Sequence, residues 1–264
     1  MKKYWQLSVM WMIQHVAYPA RVVIWLFIDI INFVVFPFIW LAIYGERSLI
    51  QGYSRADIVT YYIIIAFISV VATSHISDHI KKDILYGEMG GRLLKPLSYP
   101  LFRTFQELSY RLMRIVITPL LLLPLFLLIP QHIVLPDSVL TACLFVLSLL
   151  CAFVIFHCFE LIVGMACFWM GENGALRQTY SMISIVLSGE IAPLVFFPVV
   201  IQNINKYLPF QYLFYFPSQI YLRKLSTIEI IVGFTRILVW IGILMVIVYL
   251  LWKKGVKGYD GGSL

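Results

Sequence analysis

The chain has 264 residues, of which 61% are hydrophobic and only 12% are charged. Soluble domains carry about 25% charged residues, so this composition excludes an ordinary water-soluble globule. The net charge of +7 does not indicate a nucleic-acid binder, because the cations are scattered between apolar runs and form no basic face. We predict an all-α integral membrane protein with about six spans of about 20 residues each, forming one transmembrane domain over residues 1–264.

The first half of the chain combines an interfacial region with two spans and a polar loop. Residues 1–21 mix aromatic and polar side chains, which predicts a helix lying in the headgroup layer. Apolar runs at about 22–44 and 58–77 predict the first two spans. Residues 78–114 then hold a dense set of charged side chains punctuated by Gly and Pro, which predicts an elbow with a short helix at its tip.

The second half of the chain contains the remaining apolar runs. The third and fourth spans are predicted at about 115–135 and 138–170. The fourth run would be about 50 Å long as a helix against a hydrocarbon core of about 30 Å, so it must tilt, bend or protrude. A fifth run starts near residue 178 and gives way to an aromatic, re-entrant region over 190–229. The sixth run is at about 230–252.

Lysine and arginine are concentrated on one side of the predicted membrane, the side that holds both termini and the elbow. Cytoplasmic loops carry an excess of these residues, so we predict that both termini and the elbow are cytoplasmic.

The sequence contains no catalytic motif of a known kind. It has no phosphate loop, no HExxH, no GxSxG and no paired Cys/His metal motif, so we expect no catalysis, metal or cofactor in this chain. The cysteines lie in one apolar run without CxxC spacing, which favours small core residues over disulfides or ligands. They are Cys143, Cys151, Cys158 and Cys167.

Polar residues inside the first and fourth runs are candidates for function, since intramembrane acids usually face an interior or a cavity. Asp29, Asn32 and Phe36 share one helical face. They mark either a translocation path or subunit seam, or a carboxylate satisfied by a neighbouring helix. His157 and Glu160 have the spacing of a hydrogen-bonded pair, which indicates either helix packing or a proton relay.

A helix break near the outer surface is predicted before the last span. The stretch holding Gly189, Glu190 and Pro193, followed by Phe197 and Pro198, combines a flexible residue, a charge and two helix breakers. Such breaks persist at membrane depth only when protein or a water-filled cavity covers the freed backbone. We predict an outer gate here, with a structural re-entrant cap as the alternative, and a possible partner for Glu190 is Arg236.

The order of elements and the elbow resemble a known family. The stretch GEMGGRLLKPLSYPLFR contains Gly91-Arg92-Leu93-Leu94-Lys95-Pro96-Leu97, with apolar residues held outside the membrane that need a partner surface. This resembles the permease subunit of bacterial type-2 ABC exporters, in the group whose elbow carries a Gly-x-Leu-Leu-x-Pro-Leu phrase.

The resemblance implies a subunit of the bacterial cytoplasmic membrane that works with membrane lipids, a second and often non-identical permease, and two copies of an ATP-binding-cassette ATPase. ATP and Mg would be bound by the ATPase. The path would follow the first, second and fifth spans, and the cargo would be a cationic or amphipathic small molecule, peptide or lipid-like compound. Glu88 and Arg92 are the expected polar contacts with the ATPase. The full set implied for ATPase coupling is Tyr86, Gly87, Glu88, Gly91, Arg92, Leu93, Leu94 and Lys95.

Two other functions remain open at this point. One is a membrane-embedded sensory or interaction subunit that transports nothing. The other is a proton-coupled secondary carrier that would use Asp29, His157 and Glu160, although the chain lacks the internal repeat common in carriers.

Overall fold

The computed structural model describes residues 2–16, 35–128 and 133–259, which are almost entirely helical. The helices, in chain order, are α1 (Lys2–Val16), α2 (Val35–Tyr44), α3 (Arg55–Ala72), α4 (Ile76–Leu85), α5 (Glu88–Leu93), α6 (Tyr99–Leu128), α7 (Val139–Met165), α8 (Cys167–Met170), α9 (Gly174–Leu187), α10 (Val199–Asn205), α11 (Tyr215–Tyr221) and α12 (Thr227–Lys257). An antiparallel hairpin joins β1 (Leu49–Ile50) to β2 (Tyr53–Ser54), and 3-10 turns occupy Leu194–Phe196 and Phe210–Tyr212.

The predicted class, an all-α membrane protein, is confirmed. Within the described residues, three helical stretches are long and apolar enough to cross a membrane: Arg55–Leu85, Val139–Met170 and Thr227–Lys257. They contain the predicted second, fourth and sixth spans. Helix α2 is a shorter apolar helix at the end of the predicted first span.

Two predicted spans contain an interruption. The second consists of α3 and α4, separated at Thr73, Ser74 and His75. In the fourth, α7 ends and α8 begins on either side of Ala166.

The third and fifth runs differ from the predicted boundaries. Helix α6 starts at Tyr99, so the second half of the elbow and the third span form one helix of 30 residues. Helix α9 has 14 residues, which corresponds to about 21 Å and is shorter than the hydrocarbon core of about 30 Å.

Helix α7 lies at the centre of the described part and packs against α3, α4, α11 and α12. The main apolar cluster fills the space between these helices and includes the fully buried Ile58, Ile155 and Phe214. A second cluster lies at the elbow end and includes Ile80 and Met89. Helix α5 is therefore anchored to the same apolar interior as the membrane helices.

Helix α1 packs along α6. The ring of Tyr4 stacks on Phe105 with centroids 5.3 Å apart, and the Ser8 hydroxyl donates a hydrogen bond of 3.0 Å to the Phe105 carbonyl. Trp11 contacts Phe102 edge-on at 5.0 Å. The N-terminal helix is thus bound to the helix that leaves the elbow.

Helices α4 and α7 approach each other most closely at Gly164. A Cβ atom there would lie 3.0 Å from the Ser77 Cα and 2.9 Å from the Ile80 Cδ1, which is closer than side chains tolerate. The Ser77 backbone cannot move aside without moving α4. Glycine at this position therefore sets the distance between the two helices.

We expect Gly164→Ala to destabilise the protein by about 1–3 kcal/mol, because the added methyl group pushes α4 away from α7. The matched control is Gly242→Ala in α12, where a Cβ meets nothing within 4 Å. The control should be neutral or stabilising by up to about 1 kcal/mol, since alanine favours helix over glycine. Thermal midpoints in detergent measure both, and equal midpoints would contradict the close contact.

Candidate functional site

The tip of the elbow is an exposed apolar surface on a buried anchor. Gly87 connects α4 to α5 with a φ of 71°, a left-handed conformation that favours glycine. Met89 is fully buried in the cluster at the elbow end, and Leu93 packs against that cluster. Leu94 and Tyr86 point outward and are 89% and 75% exposed. Exposed apolar side chains of this size are typical of a surface that binds a partner.

The two residues expected to contact the ATPase through polar groups are bonded within this chain. The Arg92 guanidinium donates from Nε to Asp83 at 2.9 Å and from Nη2 to Glu88 at 2.8 Å. Arg92 therefore holds α5 against α4 in this structure. Lys95 and Gly91 remain exposed beside the tip, and a Cβ at Gly91 would meet nothing within 4 Å.

Glu160 on α7 caps the start of α4. Its carboxylate is buried, and Oε2 accepts hydrogen bonds from the Ser77 backbone N–H at 3.2 Å and the Ser77 hydroxyl at 2.6 Å. Ser77 lies in the first turn of α4, where N–H groups lack partners within the helix. A carboxylate is also favourable at this end of the helix dipole. Glu160 thus satisfies the backbone where α4 resumes after the interruption.

The predicted pairing of His157 with Glu160 is wrong. The Nε2 of His157 lies 2.8 Å from the Thr104 hydroxyl on α6, and its ring stacks on Phe153. Residues three apart on a helix point about 60° apart, so His157 reaches α6 while Glu160 reaches α4. The structure does not form the hydrogen bond on which a relay between these two groups would depend.

A buried ion pair that sequence reasoning missed lies on α6. The Arg111 Nη2 donates to Glu107 at 2.8 Å, and Nη1 donates to the Val71 carbonyl at the end of α3, also at 2.8 Å. Both charged residues are almost fully buried. They were counted as elbow charges, although their spacing of four residues on a helix is the signal of such a pair. No group of three metal-ligating side chains forms within the described residues.

Two of the three residues predicted to mark a translocation path or subunit seam in the first span lie outside the described residues. Asp29 and Asn32 are not described, so their role stays a prediction. Phe36 stacks on Tyr62 of α3, with ring centroids 5.4 Å apart and planes at 6°. Trp40, one helical turn further on, also stacks on Tyr62. The helical face singled out from the sequence therefore contacts α3 at its described end.

Two tyrosines of α3 hydrogen-bond the backbone at the predicted break after α9. We call this pair, Tyr61 and Tyr62, the tyrosine clamp. Gly189 adopts a φ of 84°, and a Cβ there would lie 2.9 Å from the Tyr61 hydroxyl oxygen. The Tyr61 hydroxyl donates to the Gly189 carbonyl, and the Tyr62 hydroxyl donates to the Ile191 carbonyl. The freed backbone is thus covered by protein, as a break at membrane depth requires. Sequence reasoning missed both tyrosines, which lie in an uncharged run.

The remaining residues of the predicted gate surround this clamp. Glu190 is half-buried, Pro193 is buried, and the Phe197 carbonyl accepts a hydrogen bond of 2.8 Å from Gln202. The aromatic side chain that packs on Trp40 is the preceding one, Phe196. Whether the segment opens stays a prediction.

The suggested pairing of Glu190 with Arg236 is absent. Both residues are described by the structure, and no ion pair forms between them. Among the residues that the structure describes, the Glu190 carboxylate has no ion-pair partner.

Comparison with known families decides the class of this membrane protein. The model of the ABC-2 family transporter protein matches residues 30–263, which is nearly the whole chain. The chain belongs to the ABC-2 transporter family. No curated protein and no solved structure matches it. As an ABC-2 protein, it is a multi-pass membrane permease of an ABC transporter, and membrane subunits of this family work with ATP-binding-cassette ATPases.

Replacing Glu160 separates the effect of its capping hydrogen bonds on stability from the effect of its charge. Glu160→Gln keeps an oxygen acceptor for Ser77, so we expect stability within about 1 kcal/mol of the native protein. Glu160→Leu leaves the Ser77 N–H unsatisfied and should cost about 1–3 kcal/mol. Thermal midpoints in detergent measure both variants. Equal loss in the two variants would show that the charge, and not the cap, is what stabilises the structure.

Proposed function

We propose that this chain is the permease subunit of an ABC exporter, forming half of a translocation path driven by a separate ATPase. Membership of the ABC-2 family supports the permease role. The observation that carries the docking role is the elbow tip, where Tyr86 and Leu94 are exposed on either side of α5 and Met89 anchors that helix. An apolar surface on a rigid support is suited to bind a partner protein.

The elbow in this proposal faces the cytoplasm, as do both termini, and the membrane is the bacterial cytoplasmic membrane. The excess of lysine and arginine around the elbow supports this orientation. Two ATPase copies, holding ATP and Mg, would bind one permease pair. The second permease is a relative of this chain, identical or not.

The proposed cargo is a cationic or amphipathic compound. Glu190 supports a cation, because its half-buried carboxylate lacks an ion-pair partner among the described residues and lies beside the tyrosine clamp. An acidic group at this depth stabilises a positive charge. The carrier alternative loses support, because the hydrogen bond between His157 and Glu160 is not formed.

Affinity purification in mild detergent tests the proposal as a whole. We expect the tagged chain to recover an ABC ATPase and a second permease copy or relative, with ATP hydrolysis in the eluate. Mass spectrometry and an ATPase assay measure these outcomes. A chain that elutes alone from its native membrane and is associated with no hydrolysis would contradict the proposal.

Replacing Leu94 tests the docking surface. We expect Leu94→Glu to reduce recovery of the ATPase about tenfold or more, because it places a charge in an apolar contact. The protein itself should remain folded, since Leu94 is 89% exposed. Leu49→Glu is the matched control, because Leu49 is 61% exposed on β1 and distant from the elbow in sequence. Equal recovery of the ATPase with both variants would exclude Leu94 from the interface.

A further inference from the structure

Asp83 is a buried carboxylate at the junction of the elbow with the membrane helices. It lies in the last turns of α4 and is 1% exposed. Burying a carboxylate is costly unless it is paired and hydrogen-bonded. The partners that satisfy Asp83 therefore belong to the framework of the fold.

These partners come from two other helices, α5 and α6. Asp83 Oδ1 accepts from the Arg92 Nε at 2.9 Å, which ties it to α5. Asp83 Oδ2 accepts from the Tyr99 hydroxyl at 2.6 Å and from the Arg103 Nε at 3.1 Å, which ties it to α6. Arg103 also forms an ion pair with Oδ2 through Nη2. One carboxylate thus joins α4, α5 and the first turns of α6.

The contacts continue from this carboxylate to the last helix. The Tyr99 ring stacks on Trp252 of α12, with centroids 5.2 Å apart and planes at 3°. Trp252 in turn contacts Phe168 of α8 at 6.2 Å. Arg103 also lies over the Tyr99 ring at 5.6 Å, so the ring contacts both a cation and the indole of Trp252. A shift of Tyr99 is therefore passed to α12 through a flat ring contact.

Helix α5 is held by an apolar contact as well as by the hydrogen bond between Arg92 and Asp83. The apolar contact constrains the orientation of the helix less than the hydrogen bond does. Met89 is buried in the cluster at the elbow end, but apolar burial is non-directional. Charge-assisted hydrogen bonds fix both distance and orientation. Arg92 is two residues from Leu94 at the exposed tip, so the bonded end of α5 is also the end that carries the proposed docking surface. The exposed pair with Glu88 adds little, because it is accessible to solvent.

We propose that Asp83 is a positioning residue that makes α5 move as one body with the start of α6 and the end of α12. A displacement of the elbow tip then reaches two membrane helices through one buried carboxylate. The inference rests on the proposed function, because the displacement is supplied by the partner ATPase. The inference predicts that replacing Asp83 weakens the transfer of movement from the elbow tip to α6 and α12. It also predicts that the affinity of the permease for the ATPase stays unchanged.

The test uses the full complex in nanodiscs and three variants of this chain. Asp83→Asn keeps the shape of the side chain and removes its charge. Tyr99→Phe keeps the ring on Trp252 and removes the hydroxyl, which donates to Asp83 and accepts a hydrogen bond of 3.3 Å from the Arg103 Nε. The control is Asp78→Asn, which removes a half-exposed carboxylate from the same helix, where it pairs with Arg177.

Two measurements separate docking from transmission. The first is a titration that gives the affinity of the permease for the ATPase and the maximal stimulation of hydrolysis. The second is hydrogen exchange with and without a trapped nucleotide, compared between the segment 86–95 and the segments 99–110 and 250–259. A residue that merely holds the fold together would alter exchange in all three segments, with or without nucleotide.

For Asp83→Asn we expect unchanged affinity, a maximal stimulation about tenfold lower, and no nucleotide-dependent change in segments 99–110 and 250–259. The 86–95 segment should still be protected on docking. Tyr99→Phe should lower maximal stimulation by about fivefold, since the two hydrogen bonds of the Tyr99 hydroxyl are lost while both ion pairs of Asp83 remain. Asp78→Asn should behave as the native chain.

Each other outcome is informative. Native nucleotide-dependent exchange in segments 99–110 and 250–259 of both Asp83→Asn and Tyr99→Phe would overturn the inference while leaving the proposed function intact. If Asp83→Asn fails to assemble, Tyr99→Phe decides, because it retains both ion pairs of Asp83. A native chain that recruits no ATPase would overturn the proposed function and the inference with it.

Discussion

The structure depends on satisfying the backbone where helices are interrupted, because a bilayer interior offers no water to do so. The described part has three such interruptions. At each of them a side chain from elsewhere in the fold forms a hydrogen bond with the backbone. Arg111 and Glu160 bond the groups on either side of the gap between α3 and α4. Asn173 donates to a carbonyl near the end of α7, and Tyr61 and Tyr62 cover the break after α9. Buried polar groups therefore serve first as caps.

This arrangement divides the molecule into a fixed body and one exposed attachment point. The caps and the apolar clusters hold the described membrane helices around α7, so a force applied at one end is not absorbed by loose helix ends. At the elbow, the polar contacts are directed inward to Asp83 while Leu94 is left facing out. Such a division of charged anchor and apolar tip suits the ABC-2 family, whose membrane subunits work with ATP-binding-cassette ATPases.

The sequence was sufficient to predict the all-α membrane class, because long apolar runs are local signals, but the predicted bounds of the third and fifth runs differ from those of α6 and α9. It did not predict the interruption between α3 and α4, since residues 73–75 lie in an uncharged run. Spacing on α7 paired Glu160 with His157, whereas the partner of Glu160 is Ser77 of α4. Periodicity reports which face a residue occupies, whereas its partner depends on which helix packs there. That information is absent from a single chain without its tertiary contacts.

The caps also impose an order on biosynthesis. Glu160 is made 83 residues after Ser77, so the start of α4 has no carboxylate partner while the first helices enter the membrane. We expect α3 and α4 to insert as one continuous helix of the stretch Arg55–Leu85 and to separate only once α7 has arrived. The break at Gly189 is the opposite case, because Tyr61 precedes it by 128 residues and is already in place. The late segment thus folds onto a finished surface, while the early segment must wait for its partner.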